Sequence, residues 1–129
     1  MIQDKELDGQ SYINRELGLS YCMGNMDFYK EMLTLYSDGY EERVEKLTEA
    51  YQKEDWANYT VYVHGLKSTS LNIGGEILSN AAKELEAAGK LLRESTQEQE
   101  SKTFILKHHD QTMRLFAATI EEAKAILAE

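Results

Sequence analysis

Proline is absent from the 129 residues, cysteine occurs once, and the eight glycines are scattered. Without proline, nothing removes a backbone donor from the middle of a helix, so long helices meet few obstacles. A single cysteine, Cys22, excludes an intrachain disulfide framework and favours a reducing, cytoplasmic setting. Basic side chains are outnumbered 14 to 23, and the net charge of −9 speaks against a nucleic-acid partner, which needs a basic surface. No run approaches the eighteen or so apolar residues of a membrane span. The opening "MIQDKELDGQSYI" has no apolar segment of the kind a secretory signal needs. Nucleotide machinery is missing too: there is no G-x-x-x-x-G-K-[ST], no G-x-G-x-x-G, and no carboxylate cluster suited to magnesium. An independent kinase or phosphatase is therefore not expected.

What the sequence does have is helical periodicity. Residues 1–12 read as a polar extension or a frayed first turn, within one domain spanning 1–129. "INRELGLSYCM" predicts a short helix ending near Gly24. From Asn25, a plausible N-cap, one long helix is expected through the stripe Phe28, Met32, Leu35 or Tyr36, Tyr40, Val44, Leu47 and Tyr51, bent at Gly39. Asp55 reads as the cap of the next helix, residues 56–73, which Gly74 and Gly75 end with a turn. "EILSNAAKELEAAG" predicts a helix stopped by Gly89, and residues 90–102 read as a loop or a solvated helix end. A last amphipathic helix runs from residue 103 through Ile105, His109, Met113, Phe116, Ile120, Ala123 and Leu127. The expected fold is all-α: an antiparallel up-and-down four-helix bundle with a short extra N-terminal helix.

On a helical wheel, residues 56–73 divide into two stripes. Trp56, Tyr59, Val63, Leu66, Ser70 and Ile73 must face the core. His64, Lys67, Ser68 and Leu71 lie together on another side, flanked by Thr60 and Val61. An exposed imidazole titrates near 6.5 and is largely an unprotonated nucleophile at neutral pH. Lys67, one turn away, is placed to neutralise phosphoryl oxygens. Gly65 and Ser68 make a small floor beside the ring, and Val61 and Leu71 offer apolar contact to a docking protein. Taken singly, His64 is an ordinary surface histidine, Lys67 a solvated charge, and Leu71 a side chain able to reach back to the bundle. "KHHD" at 107–110 is a poor metal site, because neighbouring side chains on a helix diverge by about 100°. His109 is expected at the core edge and His108 in solvent. Cys22 reads as a small buried hydrophobe, the tyrosines as packing, and "YEERVEKL" and "QEQE" as solvated faces.

With those residues in place, "HGLKSTSLNIGG" resembles the signature of histidine-containing phosphotransfer (HPt) domains, H-x-L-K-G-x-x-x-x-x-G, with His64, Leu66, Lys67 and Gly74 on its fixed positions. "GNMDFYKEMLTLY" is similar to the family's opening helix, and "ILSNAAKELEAAG" to its segment after the glycine turn. The likeness covers roughly residues 13–90; the last helix agrees in pattern only.

The resemblance implies a helical bundle carrying an exposed phosphorylatable histidine. It implies that His64 accepts a phosphoryl group from a response-regulator receiver aspartate and passes it to another receiver, that Lys67 stabilises the group, and that Gly74 is structural. It further implies no cofactor on this chain, magnesium on the partner receiver, and a hybrid sensor histidine kinase among the possible partners. A monomer is the default. Ser68 departs from the family pattern, which most often has glycine there. The competing expectation is a degenerate HPt module that docks on receivers without being phosphorylated.

Overall fold

A computed structural model describes residues 11–95 and 98–129; the expectations for residues 1–10 and for 96–97 lie outside the described residues. The described chain is all helix and contains no strand. Its elements are α1 (Arg15–Tyr21), α2 (Met26–Asp38), α3 (Tyr40–Gln52), α4 (Trp56–Asn72), α5 (Glu76–Glu94) and α6 (Gln99–Leu127). Three of the starts are capped by side chains that satisfy an otherwise orphaned N–H. Asn14 accepts from Leu17, Asn25 from Phe28, and Asp55 from Asn58.

The segment expected as one bent helix is two, divided at Gly39. Gly39 keeps right-handed helical angles (φ −82°, ψ −3°), and its N–H still bonds the Leu35 carbonyl. The buried stripe of α2 starts one residue later than expected, and of the alternatives Leu35 and Tyr36 it takes Tyr36. Tyr29, Leu33 and Tyr36 are inside, whereas Phe28 and Leu35 are exposed. Both sets have helical spacing; polar satisfaction separates them. The Tyr29 hydroxyl donates to the Ile73 carbonyl at 2.9 Å, and the Tyr36 hydroxyl shares a 2.8 Å hydrogen bond with Ser70. Each ring is therefore buried without stranding its oxygen.

Gly89 does not stop a helix. It lies buried in the interior of α5, where an added Cβ would run into the Thr60 side chain on α4, and the helix continues through buried Leu92 to Glu94. Thr60, expected beside the exposed stripe, is buried at this close approach. Of the two expectations for residues 90–102, helix ends rather than a loop cover most of the described stretch, since α5 runs to Glu94 and α6 begins at Gln99. Gly74 and Gly75 do form the turn after α4. Gly74 has φ +90°, and its carbonyl accepts from Asn14 at 2.8 Å, tying the start of α1 to the end of α4.

The helices pack in a closed circuit: α4 on α5, α5 on α6, α6 on α2, and α3 on α4. Leu33, Leu47, Tyr59, Val63, Leu66, Leu78, Leu85, Ile105 and Phe116 fill the space between them. Residues 11–13 are held rather than frayed. The Glu122 carboxylate accepts from the Tyr12 and Ile13 amides at 2.8 and 2.9 Å and from the Ser11 hydroxyl.

Candidate functional site

The wheel of α4 divides as the sequence predicts. Trp56, Tyr59, Val63, Leu66, Ser70 and Ile73 are all buried, leaving His64 to face outward with its side chain 58% exposed. Val61 and Leu71 are exposed, and Gly65, Lys67 and Ser68 are half-buried. Val61, Lys67, Ser68 and Leu71 lie three, four or seven positions from His64, so they share its face of the helix. The helix backbone there is tied down: the Ser79 hydroxyl on α5 donates to the Lys67 carbonyl at 2.9 Å.

The residue that organises this face was not among those the sequence pattern singled out. Glu86 projects from α5 with its side chain only 6% exposed. One oxygen is 2.7 Å from His64 Nδ1, and the other is 2.6 Å from Lys67 Nζ. Lys90, one turn along α5, adds a weaker contact at 3.6 Å. Burial pushes the Glu86 carboxyl upward, but hydrogen bonds from Lys67 and His64 outweigh it and hold the group below the ordinary carboxylate range. Glu86 is therefore an ionised acceptor at neutral pH.

An ionised carboxylate can only accept, so the proton between it and His64 sits on Nδ1. In the neutral ring the lone pair is then on Nε2, at the opposite edge, away from Glu86. The arrangement thus selects one tautomer, turns the nucleophilic nitrogen outward and leaves a cation beside it.

One signal for Glu86 was present in the sequence. It stands one turn from both Ala82 and Gly89, on the side of α5 that also carries Leu78, Leu85 and Leu92. A lone carboxylate on an apolar, small-residue face needs a partner.

The "KHHD" histidines do different things. His109 is buried against the Tyr51 ring, with centroids 3.8 Å apart, and its Nδ1 is 2.8 Å from the Tyr59 hydroxyl. Burial lowers its pKa to about 4, so the ring is neutral and shares this hydrogen bond with the Tyr59 hydroxyl. His108 is only half-exposed and lies against Phe104, rather than free in solvent. Cys22 is buried. Among the described residues no three His, Cys, Asp or Glu side chains gather into a metal-holding group, and no helix is long and apolar enough to cross a membrane.

Comparison with known proteins follows this geometry. The family model for the Hpt domain matches residues 31–126. The fold superposes on the crystal structure of the HPT domain from the Hpt sensor hybrid histidine kinase from Shewanella. The TM-score is 0.72 at 22% identity, over 91% of this chain and 94% of that one. At this identity the likeness establishes a shared fold. No curated protein sequence matches the chain significantly.

Proposed function

Because the chain belongs to the Hpt domain family, whose members are phosphotransfer modules of two-component phosphorelays, we propose that it is a relay intermediate. On this reading His64 accepts a phosphoryl group from the aspartyl phosphate of one receiver domain and passes it to the aspartate of another. The observation that carries the reading is the exposed imidazole whose Nδ1 is bonded to buried Glu86 at 2.7 Å, with Lys67 on the same carboxylate.

The chemistry follows from that geometry. The Nε2 lone pair attacks phosphorus, the bond from phosphorus to the aspartyl oxygen breaks, and that oxygen leaves as a carboxylate. Attack puts positive charge on the ring, and the Nδ1–H to Glu86 hydrogen bond offsets it. In the second transfer the carboxylate of another receiver attacks phosphorus. The N–P bond then breaks, and imidazole leaves with Nδ1 still protonated. Lys67, half-buried beside the ring, holds Glu86 ionised and supplies positive charge to the phosphoryl oxygens. Any magnesium is the receiver's, and this chain is assigned no cofactor.

The closed circuit of helices supports an antiparallel four-helix bundle in which α2 and α3 together form one side and α1 is the extra helix. We read residues 1–129 as one domain, monomeric and cytoplasmic. Val61, Gly65, Ser68 and Leu71 form its receiver-docking face, and Gly74 and Gly75 form its structural turn. The matched structure comes from a hybrid sensor kinase, so such a kinase is a reasonable source of the donor receiver. A docking module that is never phosphorylated is the weaker reading, since it would not need His64, Glu86 and Lys67 kept together.

The test is a three-component relay. A receiver charged with acetyl phosphate is mixed with the chain and with a second, uncharged receiver. Label should reach the second receiver only when the chain is present, and transfer independent of the chain would reject the reading.

A further inference from the structure

Arg43 lies on α3, in a run that reads from sequence as a solvated face, yet it is half-buried beside the phosphotransfer helix. It lines a cavity of about 250 Å³ between α3 and α4, together with Gly39, Glu42, Lys46, Val61 and Gly65. Val61 and Gly65 belong to the face around His64, so the cavity borders that face on its α3 side. A smaller neighbouring hollow, about 100 Å³, also has Arg43 in its wall and reaches Leu35, Thr69 and Asn72. Arg43 thus stands between two hollows that lie along the α3 side of α4.

Two glycines flank its guanidinium. A Cβ on Gly39 would lie 3.4 Å from Arg43 Nε, and one on Gly65 would lie 3.6 Å from Nη1. One glycine costs helix continuity at the α2–α3 junction and the other weakens the interior of α4. Together they leave the planar fork uncovered on both sides.

The charge balance of the cavity adds to this. Several surface cations are matched within the chain: Arg15 with Glu129, Lys53 with Glu49, Lys102 with Glu54. In this cavity Lys46 is matched by Glu42 at 3.0 Å. Arg43 makes no ion pair among the described residues, although acidic residues outnumber basic ones by 23 to 14. With Glu42 and Lys46 cancelling, the cavity carries one net positive charge in a chain of net −9.

We propose that Arg43 is a partner-selecting residue: it receives a carboxylate side chain of the docking receiver domain in the α3–α4 cavity while His64 meets the receiver's aspartate. The cavity is large enough for one such side chain, and the guanidinium fork matches a carboxylate with two parallel hydrogen bonds. A fork left open beside the reaction centre selects partners by charge position, and arginine at such a place dominates binding out of proportion to its area. The inference rests on the receiver-docking reading above.

The experiment is calorimetric titration of a purified, unphosphorylated receiver domain into the full chain and into Arg43→Glu and Arg43→Gln variants. Arg43→Glu should raise Kd about tenfold or more, and Arg43→Gln less. Melting temperatures should stay near the parent's, because the side chain is not in the core. A carboxylate-to-lysine substitution at the matching place on the receiver should restore much of the affinity lost in Arg43→Glu. An unchanged Kd overturns the proposal, and so does a loss that no such substitution rescues. Normal docking with faster hydrolysis of phosphorylated His64 would also overturn it, by assigning Arg43 to the phosphoryl group. The two readings fail separately. Normal labelling with unaltered docking removes only the role of Arg43. Absent labelling with a rescued charge swap removes the relay and leaves the acidic partner surface.

Discussion

The Glu86 carboxylate of α5 reaches across to α4 and lies 2.7 Å from His64 Nδ1, from a position almost closed to solvent. A buried anion here fixes where the imidazole proton resides and therefore which nitrogen is free to react. Glu86→Gln keeps the shape and removes the charge. Losing one charge-assisted hydrogen bond is worth about 1.5–3 kcal/mol, so transfer to His64 should slow about tenfold to a hundredfold. Nitrogen chemical shifts of the ring check the cause: one Nδ1–H tautomer is expected in the parent, and a mixture in Glu86→Gln. A slower rate with an unchanged tautomer would assign the loss to something else.

Acid should destabilise the fold in two stages, with the sign set by each group. His109 has a folded pKa near 4, against an ordinary value near 6.5. The unfolded chain therefore takes up its proton first, and the stability gained from a neutral buried ring is present above pH 6.5. It is lost as pH falls from 6.5 toward 4, by about 3 kcal/mol. Glu86 is held below the ordinary carboxylate range, so its contribution is present above the unfolded value and is lost at lower pH still. Urea unfolding at a series of pH values measures both. His109→Gln should flatten the upper stage and leave the lower one.

Gly65 and Gly89 sit in helix interiors and should respond oppositely to alanine. At Gly65 the added Cβ meets only Arg43, at an ordinary contact distance of 3.6 Å. Gly65→Ala should therefore stabilise the fold by about 0.5–1 kcal/mol while slowing transfer, because it narrows the approach to His64. At Gly89 the same methyl group meets the buried Thr60 side chain, so Gly89→Ala should destabilise. Thermal melts together with transfer rates distinguish a glycine kept for access from one kept for packing.

Leu71 and Val61 are exposed apolar side chains on the His64 face. Leu71→Asp should weaken receiver docking more than it lowers the melting temperature, and Val61→Asp should do the same. Unchanged affinity with a large drop in melting temperature would place Leu71 in the core instead.

These contrasts show what local pattern does and does not carry. The placement of His64 was legible because Trp56, Tyr59, Val63, Leu66, Ser70 and Ile73 leave only one arrangement that buries them all, and His64 follows on the opposite side. The caps Asn25 and Asp55 were legible for the same reason: their bonds run to amides three residues away. Where two phases fit the period equally, pattern failed. Tyr29 displaced Phe28, and Tyr36 was chosen over its alternative Leu35, because Ile73 and Ser70, distant in sequence, satisfy the tyrosine hydroxyls. Gly89 read as a stop because a glycine that ends a helix and one that admits a neighbouring helix look alike until Thr60 is opposite it. Glu86 and Arg43 stayed hidden because their meaning lies in what α4 presents to them.

The central claim is that His64 is the atom-transferring centre, and locating the phosphoryl group tests it most directly. The chain is incubated with a receiver charged with acetyl phosphate, and the label is mapped by mass spectrometry under alkaline conditions. The account predicts an acid-labile, alkali-stable phosphate on His64 and none on the His64→Gln variant, whose helicity should match the parent. Equal labelling of His64→Gln, or label mapped to His108, His109 or a carboxylate, would contradict it.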